Sequence, residues 1–142
     1  MQYRKVDTTW VIKLERGEEA IRTLTDFCRE HDITNAYFTG IGAVDTLMCG
    51  YYVLPEKKYH STEYTELVEV ASLTGNVMLK EGEPFIHVHG VFTDTKNAAF
   101  GGHVFEMRVG VVLEVILTPL SSSIERTLDK GIGLYLMNCG EA

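Results

Sequence analysis

The sequence predicts an α+β fold, an antiparallel-rich mixed sheet packed by one main helix. Three observations carry this. Before residue 120 only Glu18 to His31 shows convincing 3.6-residue periodicity. After it the apolar pattern changes to period two or to short buried runs. Glycines separate those runs, as strand punctuation does. The chain has 142 residues, and domains typically run to about 100–200, so residues 1–142 are expected to form a single domain.

Thr8 to Leu14 (TTWVIKL) is β-branched and aromatic with a loose alternation, and it ends at Glu15-Arg16-Gly17, which predicts a strand and a turn. In the helix that follows, Ala20, Ile21, Leu24, Phe27 and Cys28 recur at spacings of three and four, while Arg22, Asp26, Arg29 and Glu30 face away. Glu18 and Glu19 in the first turn, with Arg29 and His31 near the last, follow the helix dipole. Candidate strands then run from Asn35 to Thr39, Thr46 to Leu54, Leu67 to Leu79 with a break allowed at Gly75, Phe85 to Phe92, Ala98 to Met107, Val109 to Pro119, and Leu134 to Asn138. Ser121 to Lys130 mixes a four-residue spacing, Ile124 and Leu128, with three serines, and takes no assignment.

Apolar residues at 45% and charged residues at 23% match soluble globular proteins and exclude disordered, collagenous and coiled-coil chains. The 20 acidic against 13 basic residues leave a net charge of −7, which argues against duplex DNA binding across the surface. Cys28, Cys49 and Cys139 are odd in number and form no CxxC pair, so reduced thiols in a cytoplasmic protein are expected. Met1 to Trp10 leads into no apolar h-region, and the longest apolar stretch, Val109 to Leu117, contains Glu114; neither a secretory signal nor a membrane span is expected.

The chemistry concentrates in Pro84-Phe85-Ile86-His87-Val88-His89-Gly90. Two residues apart in a strand, His87 and His89 share a face about 6.6 Å apart along the chain. His103 follows Gly101-Gly102 beyond the turn-compatible Thr93 to Asn97. If that turn is centred on Lys96, paired residue numbers sum to 192, His103 lies opposite His89, and all three rings converge. A centre half a residue earlier points His103 away unless the glycines form a bulge. Three imidazoles with an open fourth position suit Zn²⁺ or another late first-row metal. Exposed polar strand residues are the alternative. His31, at a helix end where a cation is favoured, and His60, in the polar Glu56 to Glu63 stretch, are expected to be solvated.

Glu69 and Glu114 stand inside apolar strands. Each reads either as an acceptor for a ligand histidine or a base near the metal, or as an ion-pair partner of Arg108 or Arg126 or an exposed oligomer-rim residue. Gly40-Ile41-Gly42-Ala43 lacks a following helix and reads as a turn or close packing. Cys28 reads as core, and Cys49 and Cys139 have no neighbouring base.

Taken together and in this order, Gly40 to Ala43, Leu67 to Asn76, Pro84 to Gly90, Gly101-Gly102-His103 and Leu113-Glu114-Val115 resemble the plant and prokaryote conserved domain (PPC), in its stand-alone prokaryotic type. The resemblance implies a homotrimer in which a single helix lies against an antiparallel-rich sheet. It also implies a divalent metal, zinc foremost, at positions matching His87, His89 and His103. Plant members place such a domain after AT-hooks that touch DNA, and no Arg-Gly-Arg-Pro run occurs here. The leading expectation is a metal-binding homotrimer that senses a small ligand at the metal or has a DNA-associated role. The alternative is a metal-dependent hydrolase using Glu69 or Glu114 as base. A cupin is disfavoured, because Thr93 and Asp94 stand where its usual glutamate would.

Overall fold

The computed structural model describes residues 1–121 and 123–140. Ser122, within the stretch that took no assignment, and the last two residues of the expected 1–142 domain lie outside the described residues. The chain begins with a hairpin that carries no sequence signal at its first arm. β1 (Gln2–Val6) is exposed along its length and pairs antiparallel with β2 (Thr9–Glu15).

The helix, α1 (Ala20–Glu30), starts two residues later than its charge pattern suggests. Glu19 is its N-cap, and its carboxylate accepts hydrogen bonds from the Ile21 and Arg22 N–H groups at 3.1 and 2.6 Å. The acid therefore meets the helix dipole as a cap rather than as a first-turn side chain. Ala20, Leu24, Phe27 and Cys28 point inward as the periodicity requires.

Two pairs of expected strands are each one long strand. β3 (Ala36–Val53) runs through the Gly40 to Ala43 segment, and β7 (Ala99–Pro119) runs through Arg108. Bulges bend them instead of turns, with β3 shifting register against its neighbours between Gly40 and Gly42 and again between Gly42 and Thr46. A Cβ on Gly42 would lie 2.1 Å from the Val112 carbonyl oxygen, so only glycine lets the two backbones approach there. This is the close-packing reading of that motif.

After a 3₁₀ turn at Leu54–Glu56, β4 (Lys58–Tyr64) pairs with the end of β3; it is the polar stretch that gave no strand signal. β5 (Val68–Lys80) is unbroken at Gly75, and β6 (Glu83–Thr93) returns beside it. β8 (Glu125–Asp129), in the stretch without assignment, and β9 (Leu134–Asn138) form the last hairpin.

The sheet order is β1-β2-β7-β3-β5-β8-β9, with β4 on β3 and β6 joining β5 to β7. It is mixed because β5 and β8 run parallel through Leu79 and Lys80. The four longest strands pair in a closed circuit, β3 with β5, β5 with β6, β6 with β7 and β7 with β3. Phe38, Leu47, Leu73, Phe92, Val104 and Leu113 fill the core. The expectation of a sheet packed by its helix needs correction in emphasis. The strands dominate, and α1 contributes only its one apolar face, packed mainly on β6 and β7. Among the described residues no helix is long and apolar enough to cross a membrane.

Candidate metal centre

Alternation along β6 sends Ile86, Val88 and Phe92 into the core and leaves His87 half-buried and His89 exposed on the opposite face. The turn into β7 is closed by Asp94, whose Oδ1 accepts from the Lys96 and Ala98 N–H groups at 2.8 and 2.9 Å. That turn sets the register, pairing Phe92 with Phe100, Gly90 with Gly102 and His89 with His103. The parity argument centred on Lys96 is therefore realised without a bulge. Gly101, two residues before His103, is needed, since a Cβ there would lie 2.2 Å from the Gly90 carbonyl oxygen.

The three rings converge. Centroid separations are 5.2 Å for His87 and His89, 5.1 Å for His87 and His103, and 5.3 Å for His89 and His103. One nitrogen from each lies within 4.8 Å of the others. Tyr59 of β4 stacks on His103 at 4.8 Å, and Phe105 meets the same ring edge-on at 4.7 Å, so His103 is held between two aromatic side chains.

Burial pushes the His87 imidazole down to about 4, helped by the charges of Arg126 and His89. His103 is also lowered to about 4, again first by burial and then by His87, His89 and Arg126. Both rings are accordingly neutral near pH 7, the state in which imidazole has a lone pair to give a metal.

Arg126 is the residue the sequence did not place. It comes from β8, is only 6% exposed, and donates to the Tyr135 carbonyl oxygen at 3.2 Å and to Asn76 Oδ1 at 2.8 Å. Its Nη2 also lies 3.1 Å from His87 Nδ1. A parallel contact with β5 puts it there, and no local periodicity reports such a pairing.

The two strand carboxylates are not part of this cluster. Glu69 and Glu114 are exposed and line a separate groove with Ile41 and Val112. The expected ion pairs are absent too, because Arg108 pairs with Asp45 at 2.7 Å and Arg126 bonds no carboxylate among the described residues. Both carboxylates are solvent-exposed, which is the part of those readings the structure shows. His60 is solvated and sits 2.8 Å from Glu56. His31 is not solvated as expected; it packs among Tyr3, Trp10 and Phe27, with its Nε2 buried and unpartnered. All three cysteines are free, and burial pushes the Cys28 thiol up to about 12, which suits a core residue.

The donor set fits a late first-row metal: three nitrogens on one face, two of the rings held neutral, and His103 Nδ1 buried without a hydrogen-bond partner. The fold and site thus define a mixed-sheet protein bearing a convergent three-histidine cluster. The profile of the Plants and Prokaryotes Conserved (PCC) domain matches residues 1–121, and the chain belongs to that family.

Solved structures agree. A plant- and prokaryote-conserved (PPC) protein of Pyrococcus horikoshii is 32% identical, with 99% of this chain and 96% of that one covered and a TM-score of 0.88. A metal-containing protein of Archaeoglobus fulgidus is 33% identical over 97% of this chain and 99% of that one, with a TM-score of 0.87. A protein of Ralstonia eutropha provisionally named for DNA binding is 30% identical over 97% and 96% of the two chains, with a TM-score of 0.90. No curated protein matches the chain.

Proposed function

We propose that this chain is a PPC-domain protein that holds one divalent metal ion, zinc foremost, on His87, His89 and His103, and that it assembles as a cytoplasmic homotrimer. The observation that carries the metal reading is the direct pairing of His89 with His103, with His87 on the same face and all three ligand atoms within 4.8 Å. When bound, such an ion supplies a Lewis acid with a ligand position left to water or a small molecule. The chain's own residues do the rest. Tyr59 and Phe105 fix the His103 ring, and Arg126 holds His87 while no ion is bound. The Archaeoglobus protein's name supports this reading.

The assembly reading draws on outward-facing apolar residues. Ile41, Leu67, Val91 and Val111 are 55%, 49%, 46% and 57% exposed, and a partner subunit would cover them. Regulation through a ligand sensed at the metal suits a site with an open position. A direct DNA role is the weaker reading despite the Ralstonia protein's name, because the chain carries −7 and no AT-hook run. The hydrolase reading has no carboxylate base in the cluster among the described residues.

The test is metal content of protein purified without an affinity tag. About one ion per chain is expected in the wild type, and His89→Ala, an exposed position, should lose it while keeping its fold. Stoichiometric metal in that variant would overturn the assignment.

A further inference from the structure

Beside the histidines lies a cavity of about 300 Å³, at the lower end of small-molecule sites. Its walls are aromatic, with Tyr59, Phe85, Phe105 and Tyr135 around the edges of His87 and His103. Two cations also line it, Lys80 and Arg126, and no Asp or Glu does so among the described residues. This is unusual in a chain whose acids outnumber its bases 20 to 13.

The cations are under-compensated. A guanidinium carries five N–H donors. The hydrogen bonds of Arg126 to Tyr135, Asn76 and His87 use Nη1 and Nη2, and its buried Nε has no partner. Lys80 has no carboxylate partner among the described residues; its ammonium lies 4.3 Å from the Tyr135 ring centroid and 5.1 Å from that of Phe85. The Tyr135 hydroxyl donates to Glu81. A buried charge without a counter-charge is costly, and a bound anion removes that cost.

We infer that this cavity binds a small carboxylate with a flat, apolar body, its anionic end on Arg126 and Lys80 and its body between the aromatic walls. The inference names a ligand class for the site proposed above and shares His87 and His103 with it, but it needs only the pocket's own residues. Arg126 keeps two of its five N–H groups uncommitted, one on Nη1 and the buried Nε, as donors for a carboxylate, and the ring faces take an aromatic body by offset or edge contacts. Water would fill the same volume without neutralising either cation.

The probe pair is benzoate and benzamide, nearly the same in shape and differing by one charge. Binding is read by calorimetry on the full chain, both metal-loaded and after chelator treatment. Benzoate should bind at least about tenfold more tightly than benzamide in both forms. In Arg126→Gln that preference should vanish. Lys80→Gln, at a half-exposed position, should reduce it and serves as the second variant if Arg126→Gln fails to fold.

Equal binding of the two probes, or binding of neither, would overturn the inference. A preference confined to metal-loaded protein and surviving Arg126→Gln would also overturn it, since the ion would then hold the carboxylate. A preference in a protein that takes up no metal would support the inference and defeat the metal reading alone.

Discussion

Arg126 Nη2 stands 3.1 Å from His87 Nδ1. Because a guanidinium only donates, that nitrogen turns its lone pair to the arginine. A metal held on His87 would therefore compete with Arg126 for one imidazole. Binding through Nδ1 would displace Arg126, and binding through Nε2 would require the proton on Nδ1, which would end the same contact. Either way a further guanidinium N–H would be freed beside the aromatic cavity, and the proposed metal and carboxylate sites would be coupled through a single side chain.

The lowered histidines set a pH window. His87 and His103 titrate at about 4 in the folded chain against an ordinary 6.5. Between those values the unfolded chain binds more protons, so the stability of metal-free protein should fall as pH drops from about 6.5 to about 4. Urea midpoints across this range, compared with a His87→Asn, His103→Asn double variant, isolate the effect. Parallel pH profiles for the two proteins would contradict it.

Gly101→Ala should weaken both fold and site. The added Cβ meets the Gly90 carbonyl oxygen at 2.2 Å, and overpacking of this kind costs about 1–3 kcal/mol. Relief requires β7 to move from β6, carrying His103 away from His89. Urea unfolding should show the loss of stability, and metal affinity should fall with it. Wild-type stability in this variant would contradict the close approach.

Much of the site was legible because its register depends on a short turn. Asp94, Lys96 and Asn97 announce that turn, and a centre on Lys96, one of the two the sequence allowed, places His103 opposite His89 as the structure has it. The helix was legible because its apolar spacing had no competitor, although Glu19 serves as cap rather than first-turn acid. What escaped had no local signal. β1 and most of β4 face solvent and so lack apolar alternation, and the bulges in β3 and β7 imitate turns. Arg126 reaches the histidines only through a parallel pairing of strands distant in sequence.

Duplex DNA should bind weakly at physiological salt. Three chains at −7 each carry −21, and no AT-hook offsets that charge. A salt-dependent titration should find nothing tighter than the roughly micromolar range of non-specific contacts. Nanomolar binding would contradict this.

Assembly has its own measurement. With Ile41, Leu67, Val91 and Val111 all outward, light scattering should give about three times 15.9 kDa. A dimer would keep the burial argument and refute the threefold stoichiometry. A species near 16 kDa at micromolar concentration would refute both.

The metal centre is tested most directly by diffraction from crystals of tag-free protein at energies on either side of the zinc absorption edge. One anomalous peak is expected per chain, enclosed by His87, His89 and His103, with nitrogens at about 2.0–2.1 Å for zinc. Three ring nitrogens with no peak between them, or a peak on other residues, would contradict it.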